Sequence, residues 1–258
     1  MTRTLAHISD LHIGRDPRTD AAAAELAAAL VRWDVDDVLL TGDVTHRGRG
    51  VELALFERLF APLAGRLTVV PGNHDRAGDA ARALMPGARV QTALRPGLVA
   101  VRLDSTAPHN TSLLDSHGLV TGDDLDAVEA AVASAPEEAL VALLLHHHPL
   151  PLPYDNIGER LVTWLGRPYA TALPLGADLI ARLRGRCDLV LHGHKHRATD
   201  TVVAGTGERP LHVMNAGASG ELGRARVIEH AAGRVLRVRW FDVAAREGAV
   251  ADDGAAVA

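Results

Sequence analysis

Five times along this chain a short apolar run stops and is followed at once by residues that carry chemistry. Leu5–Ser9 gives way to Asp10-Leu11-His12, and Val38–Leu40 to Thr41-Gly42-Asp43. Val69-Val70 breaks into Pro71-Gly72-Asn73-His74-Asp75, Leu140–Leu145 into His146-His147-His148-Pro149, and Leu189–Leu191 into His192-Gly193-His194-Lys195-His196. Apolar runs of this length, closed by Gly or Pro, read as strands, and the longest as one buried on both faces. Between the first three lie stretches with helical spacing: Leu26, Leu30 and Trp33 in one, Leu55, Phe56, Leu59, Phe60 and Leu63 in the next. Strands that alternate with helices and carry polar residues at their C-terminal ends imply a layered α/β design, with a site along one sheet edge.

The remaining segments fit that design. A helix is expected over Ala21–Trp33, capped by Thr19 or Asp20, and another over Val51–Leu63. Leu98–Leu103 reads as a strand ending in Asp104-Ser105, and Thr121 with Asp124 as a capping box opening a helix with Leu125, Val128 and Val132. A helix over Leu175–Arg184 precedes the last motif. Strand-like segments follow at Thr201–Val203, Leu211–Met214, Arg224–Glu229 and Val235–Phe241. Residues 1–243 are expected to form one domain and 244–258 a disordered tail. The stretch 150–176 differs in kind. With Pro149 it has five prolines, and it holds Tyr154, Trp164 and Tyr169, as expected of a lid or insertion near a site.

Composition narrows the classes of function. A net charge of −5 argues against a broad nucleic-acid or anionic-lipid footprint, and no apolar run is long enough to span a membrane. Of 27 basic residues only Lys195 is lysine, so the arginines reflect compositional bias more than phosphate contacts. Cys187, the single cysteine, lies beside an apolar strand and reads as a buried, inert thiol. With no secretory signal at the N-terminus, the cytoplasm is the expected location.

Read together, the strand ends spell D-L-H, G-D, G-N-H-D, H-H-P and G-H-K-H, in this order. From about Leu5 to Arg197 the chain resembles the calcineurin-like metallophosphoesterase superfamily, whose blocks are D-x-H, G-D, G-N-H-D/E, H and G-H-x-H. The resemblance implies a four-layer αββα sandwich holding two divalent metal ions. Asp10, His12 and His196 would hold one ion; Asn73, His147 and His194 the other; Asp43 would bridge both. His74 would stand beside the substrate phosphate. His147 is taken because the family's ligand lies two residues before the proline; His146 or His148 stays open, since alternation puts those two on one face and His147 on the other.

Nitrogen and hard oxygen ligands without thiolate suit Mn, Fe or Zn. The expected activity is hydrolysis of a small phosphodiester by a metal-bridging hydroxide, closest in motifs to class III cyclic-nucleotide and glycerophosphodiester phosphodiesterases. The alternatives are a phosphomonoesterase or nuclease of the same superfamily, or a non-catalytic scaffold with this fold. Arg76, Tyr154 and Tyr169 are the further candidates for substrate contact.

One position departs from the pattern. Many relatives carry Asp three residues after the bridging Asp, where it orients the catalytic His; this chain has His46. Another acid, Asp75 or Asp10, is then expected to orient His74, or the proton-transfer arrangement differs. His7 and His192, inside strands, read as core residues.

Overall fold

A computed structural model describes residues 1–80, 82–111, 116–152, 171–204 and 209–244. Most of the expected lid, with Tyr154, Trp164 and Tyr169, and nearly all of the expected tail lie outside the described residues.

Three strands, β1 (Arg3–Ile8), β2 (Asp37–Thr41) and β3 (Leu67–Val70), pair in parallel. Together with β10 (Arg224–Ala231) and β11 (Arg234–Asp242) they form a sheet in the order β11-β10-β1-β2-β3. The second sheet comprises β4 (Val90–Arg95), β5 (Leu98–Leu103), β6 (Leu140–Leu144), β7 (Leu189–His192), β8 (Thr199–Val203) and β9 (Leu211–Asn215), in the order β4-β5-β6-β7-β9-β8. The parallel central strands bring their C-terminal ends to one edge of each sheet. Among the described residues the α-helices are α1 (Pro17–Arg32), α2 (Gly50–Phe60), α3 (Gly122–Ala133), α4 (Gly176–Leu183) and the short α5 (Ser219–Leu222).

Strand alternation sorts the core into three buried clusters. Ala6, Ile8, Val38 and Leu40 face outward and pack under Leu26, Leu30, Phe56 and Phe60 of α1 and α2. Leu5 and Leu39 face the other way, against Ala100, Leu140, Ala142, Leu144 and Leu191 of the second sheet. Val141 and Leu143 face out again, under Leu125 and Val128 of α3 and Leu179 of α4. The order is therefore helix, sheet, sheet, helix, the expected αββα sandwich. A strand between two apolar layers needs apolar residues on both faces, which is why β6 shows no polar alternation.

Some boundaries differ from the expectation. Helix α1 begins four residues earlier because Asp16, with Pro17 behind it, is the cap: its Oδ1 accepts from Arg18 N at 2.9 Å and Thr19 N at 3.0 Å. Asp20 instead accepts from Gly14 N at 2.7 Å. After Phe60 the second helix tightens into a 3₁₀ turn over Ala61–Arg66. Strand β4 was not expected. It pairs antiparallel with β5 across Pro96-Gly97, and its arginine helps close the free edge of β3. Arg95 donates to Leu67 O (3.0 Å) and Arg102 to Val69 O (2.8 Å), so two guanidinium groups satisfy carbonyls that an exposed edge leaves unpaired. Among the described residues no helix is long and apolar enough to cross a membrane.

Candidate metal centre

The segments after β1 and β2 run side by side: Asp10 N donates to Gly42 O (3.0 Å) and His12 N to Asp43 O (2.9 Å). To turn their side chains toward one point, these residues take up left-handed backbone. Of the non-glycine residues with positive φ, five are Asp10 (56°), His12 (48°), Asp43 (49°), His194 (73°) and His196 (34°). This conformation costs an L-residue about 1–2 kcal/mol, and such strain gathers at functional sites. The glycine of the Asn-His-Asp motif is equally constrained, because a methyl group on Gly72 would fall on the carboxylate of Asp43.

Two groups of ligand atoms result. In the first, His12 Nε2 lies 3.0 Å from His196 Nε2, which is 3.6 Å from Asp10 Oδ1. In the second, Asn73 Oδ1 lies 3.1 Å from both His194 Nδ1 and His146 Nε2. Asp43 belongs to both: its Oδ2 is 3.9 Å from His12 Nε2 and 3.3 Å from His146 Nε2. Nearly all of this is buried, His196 being the exposed member with 47% of its side chain accessible. Burial, with His74 and His196 nearby, lowers His12 to about 3, and burial with His147 and His146 nearby holds His194 well below the usual range. These rings are neutral donors with lone pairs to share. Burial opposes a proton on His146 as well, but Asp43 more than offsets it and raises His146 to about 9. Imidazole and carboxylate oxygens that converge on two points, with a buried proton beside Asp43, form a donor set that fits two divalent cations.

The histidine run needs a closer account, because one ring nitrogen each of His146, His147 and His194 can be drawn within 4.8 Å of one another. Ser105 Oγ accepts the backbone N–H groups of His146 and His147, both at 3.2 Å. With both lone pairs engaged, its single proton goes to His147 Nδ1, 2.9 Å away. His147 then carries its hydrogen on Nε2 and donates it to Ser116 O at 2.9 Å. Both of its nitrogens are thus taken up by protein groups. His146 is the reverse case: Nδ1–H donates to Thr41 O at 2.8 Å, and Nε2 faces Asn73 and Asp43. The structure brings His146 to the position where His147 was expected. His148 is buried, its ring 5.8 Å from that of His194.

His74 follows Asn73 into a short 3₁₀ turn. Its backbone N–H donates to Asp43 Oδ1 at 2.9 Å, and its ring Nδ1 lies 2.8 Å from the carbonyl oxygen of His46. A carbonyl only accepts, so Nδ1 carries the hydrogen and Nε2 is left for other partners. Among the described residues no acid hydrogen-bonds this ring. Asp75 binds the N–H groups of Gly72 (2.8 Å), Val44 (3.2 Å) and Thr45 (2.8 Å), bracing the loop that carries Asp43. Burial, reinforced by Asp43, raises Asp75 to about 6. Asp10 accepts the His194 N–H at 3.1 Å. The His46 ring lies 5.4 Å from that of His74, with Nδ1 buried and without a hydrogen-bond partner.

Arg76 makes contacts within the protein. Its Nε donates to Thr106 Oγ1 (2.6 Å) and one terminal nitrogen to Asp104 Oδ2 (2.5 Å), tying the His74 turn to the end of β5. His7 is a core residue, its Nε2 3.0 Å from Thr41 Oγ1 and its buried Nδ1 without a hydrogen-bond partner. Ser105, noted in the sequence only as part of the Asp104-Ser105 strand end, and Ser116 were not anticipated as part of the site.

Comparison with known proteins supplies independent findings. The family model described as Calcineurin-like phosphoesterase matches residues 3–198. A protein of Vesicomyosocius okutanii subsp. Calyptogena okutanii (strain HA), named as a probable cyclic nucleotide phosphodiesterase, is 24% identical over 205 residues, covering 78% of this chain and 81% of that one. The 3',5'-cyclic adenosine monophosphate phosphodiesterase CpdA of Pseudomonas aeruginosa is 34% identical over 122 residues, or 47% of this chain and 43% of its own. Among solved structures, a dimetal phosphatase from Danio rerio superposes with a TM-score of 0.62 at 12% identity, covering 91% of this chain and 98% of that one. That last likeness concerns the fold alone.

Proposed function

Because the chain belongs to the calcineurin-like phosphoesterase family, we propose that it hydrolyses small phosphodiesters with the help of two divalent metal ions. The observation that carries this reading is the placement of Asp43. One oxygen of its carboxylate faces both groups of ligand atoms, while the other accepts the His74 N–H. One residue therefore ties the two cation positions to the turn that carries the candidate catalytic histidine.

We assign Asp10, His12 and His196 to one ion, Asn73, His194 and His146 to the second, and Asp43 to both. We place His146 where His147 was expected because its Nε2 faces Asn73 and Asp43, and a cation there would take the place of the proton it holds beside Asp43. Two divalent ions supply Lewis-acid charge and lower the pKa of water toward about 7. The chain's residues do the rest. With two divalent ions bound, the carboxylates of Asp10 and Asp43 would cancel only part of their charge, and the net positive site would suit a phosphodiester anion. His74, held through Nδ1–H by the His46 carbonyl, would turn Nε2 toward the departing oxygen and, in its doubly protonated imidazolium form, give that oxygen the Nε2 proton. Relatives named as cyclic nucleotide phosphodiesterases favour cyclic nucleotides as the first substrates to try.

The test is a substrate panel with Mn-loaded protein: bis-nitrophenyl phosphate, nitrophenyl phosphate, 3',5'-cyclic AMP and glycerophosphodiesters. The proposal predicts higher kcat/KM for diesters than for the monoester, and loss of all turnover with a chelator. Preference for the monoester, or turnover untouched by chelation, would overturn it.

A further inference from the structure

We propose that Ser105 and His147 are positioning residues which aim His146 at the second metal ion. The inference rests on the two-metal reading and adds residues to it that hold no metal themselves.

Ser105 lies two residues past the end of β5, with no exposed surface. Its carbonyl accepts the N–H of Leu119 at 3.0 Å, which brings Ser116 and Gly118 up to His147 opposite Ser105. On one side His147 Nδ1 receives the Ser105 hydroxyl; on the other Nε2–H reaches Ser116 O. The ring rests flush against Gly118, where an added Cβ would lie 2.5 Å from His147 Cγ. No residue but glycine leaves room there.

The effect passes to His146 through the backbone. Ser105 Oγ fixes both N–H groups of the His146-His147 turn, and His146 O accepts from Gly193 N at 3.0 Å. The two residues lie in a bend just past β6, and their rings leave it with planes 82° apart. With that bend pinned and His147 held on the Ser105 side, His146 is left facing the centre, where Thr41 O fixes its Nδ1 and Nε2 reaches Asn73 and Asp43. Outer partners of this kind typically change metal affinity by about 10–100-fold when removed.

The experiment is calorimetric Mn titration of the full-length apo-protein, with metal content by elemental analysis and thermal unfolding as a check of folding. Ser105→Ala is expected to keep the tighter ion and weaken the second by about 10–100-fold. His147→Gln, which can still accept from Ser105 and donate to Ser116, should bind both ions within about threefold of wild type. His147→Leu should weaken the second ion as Ser105→Ala does, and His146→Gln should abolish it. If His147→Gln loses the second ion as completely as His146→Gln, His147 is a ligand and the proposal falls. Unchanged affinity in both Ser105→Ala and His147→Leu also overturns it, and should Ser105→Ala not fold, the two His147 variants decide alone. A wild type that binds fewer than two ions refutes the two-metal reading instead.

Discussion

The ring of His74 is held by the backbone of His46, not by its side chain: Nδ1 lies 2.8 Å from the His46 carbonyl oxygen. An acid at position 46 is thus unnecessary for fixing the tautomer of His74. His46→Asn and His46→Asp should both retain kcat within about tenfold, whereas His74→Ala should keep both ions and lose about 10²–10⁴-fold in kcat. Steady-state kinetics with metal analysis checks this. A His46→Asn variant as impaired as His74→Ala would show that the imidazole at position 46 takes part.

His7 gives a pH dependence that lies apart from the metal ligands. It is fully buried and, because of that burial and the nearby Arg226 and His192, its pKa is well below the usual histidine value. Below about pH 6.5 the unfolded chain takes up a proton there that the folded chain refuses, so stability present above that pH is lost as pH falls. Melting temperatures of wild type and His7→Gln, measured from pH 7.5 to 5.5, should converge on acidification. Parallel curves would contradict the assignment.

The hairpin joining β10 to β11 turns on Ala232 and Gly233, both with positive φ (47° and 70°). Such turns favour Asn before Gly, since alanine is strained in this conformation. Exposed Ala232→Asn should stabilise the protein by about 0.5–1 kcal/mol, read as a rise in melting temperature. A fall would mean that the turn is not strained at Ala232.

Cys187 is fully buried and its thiol, raised to about 12 by burial and Asp188, stays protonated at neutral pH. A thiol reagent at pH 8 should label the denatured chain fully and the native chain hardly at all. Rapid native labelling would show the strand to be open.

Much of this architecture was legible because parallel strands place their C-terminal ends at a common edge. Asp10, Asp43, Asn73, His194 and His196 follow strand ends at that edge, while their expected roles came from the resemblance of their blocks to the metallophosphoesterase pattern. The choice among His146, His147 and His148 was not legible, for it depends on Ser105, about forty positions away in sequence, which holds His147 through two hydrogen bonds and the His146 N–H through a third. Arg76 looked available for substrate because its partners Asp104 and Thr106 lie on a distant strand end. Strand β4 escaped notice because an edge strand with mixed exposure, Val90 to Arg95, shows neither a continuous apolar run nor clean alternation. The backbone strain at Asp10, His12 and Asp43 has no local sequence signal at all, since none of them is glycine.

The most direct test of the account is elemental analysis of protein loaded with Mn and freed of excess, for wild type and Asp43→Ala. The account predicts two ions per wild-type chain and fewer than one per Asp43→Ala chain, since the shared carboxylate faces both ligand groups. One ion or none in the wild type, or two retained without Asp43, would contradict it.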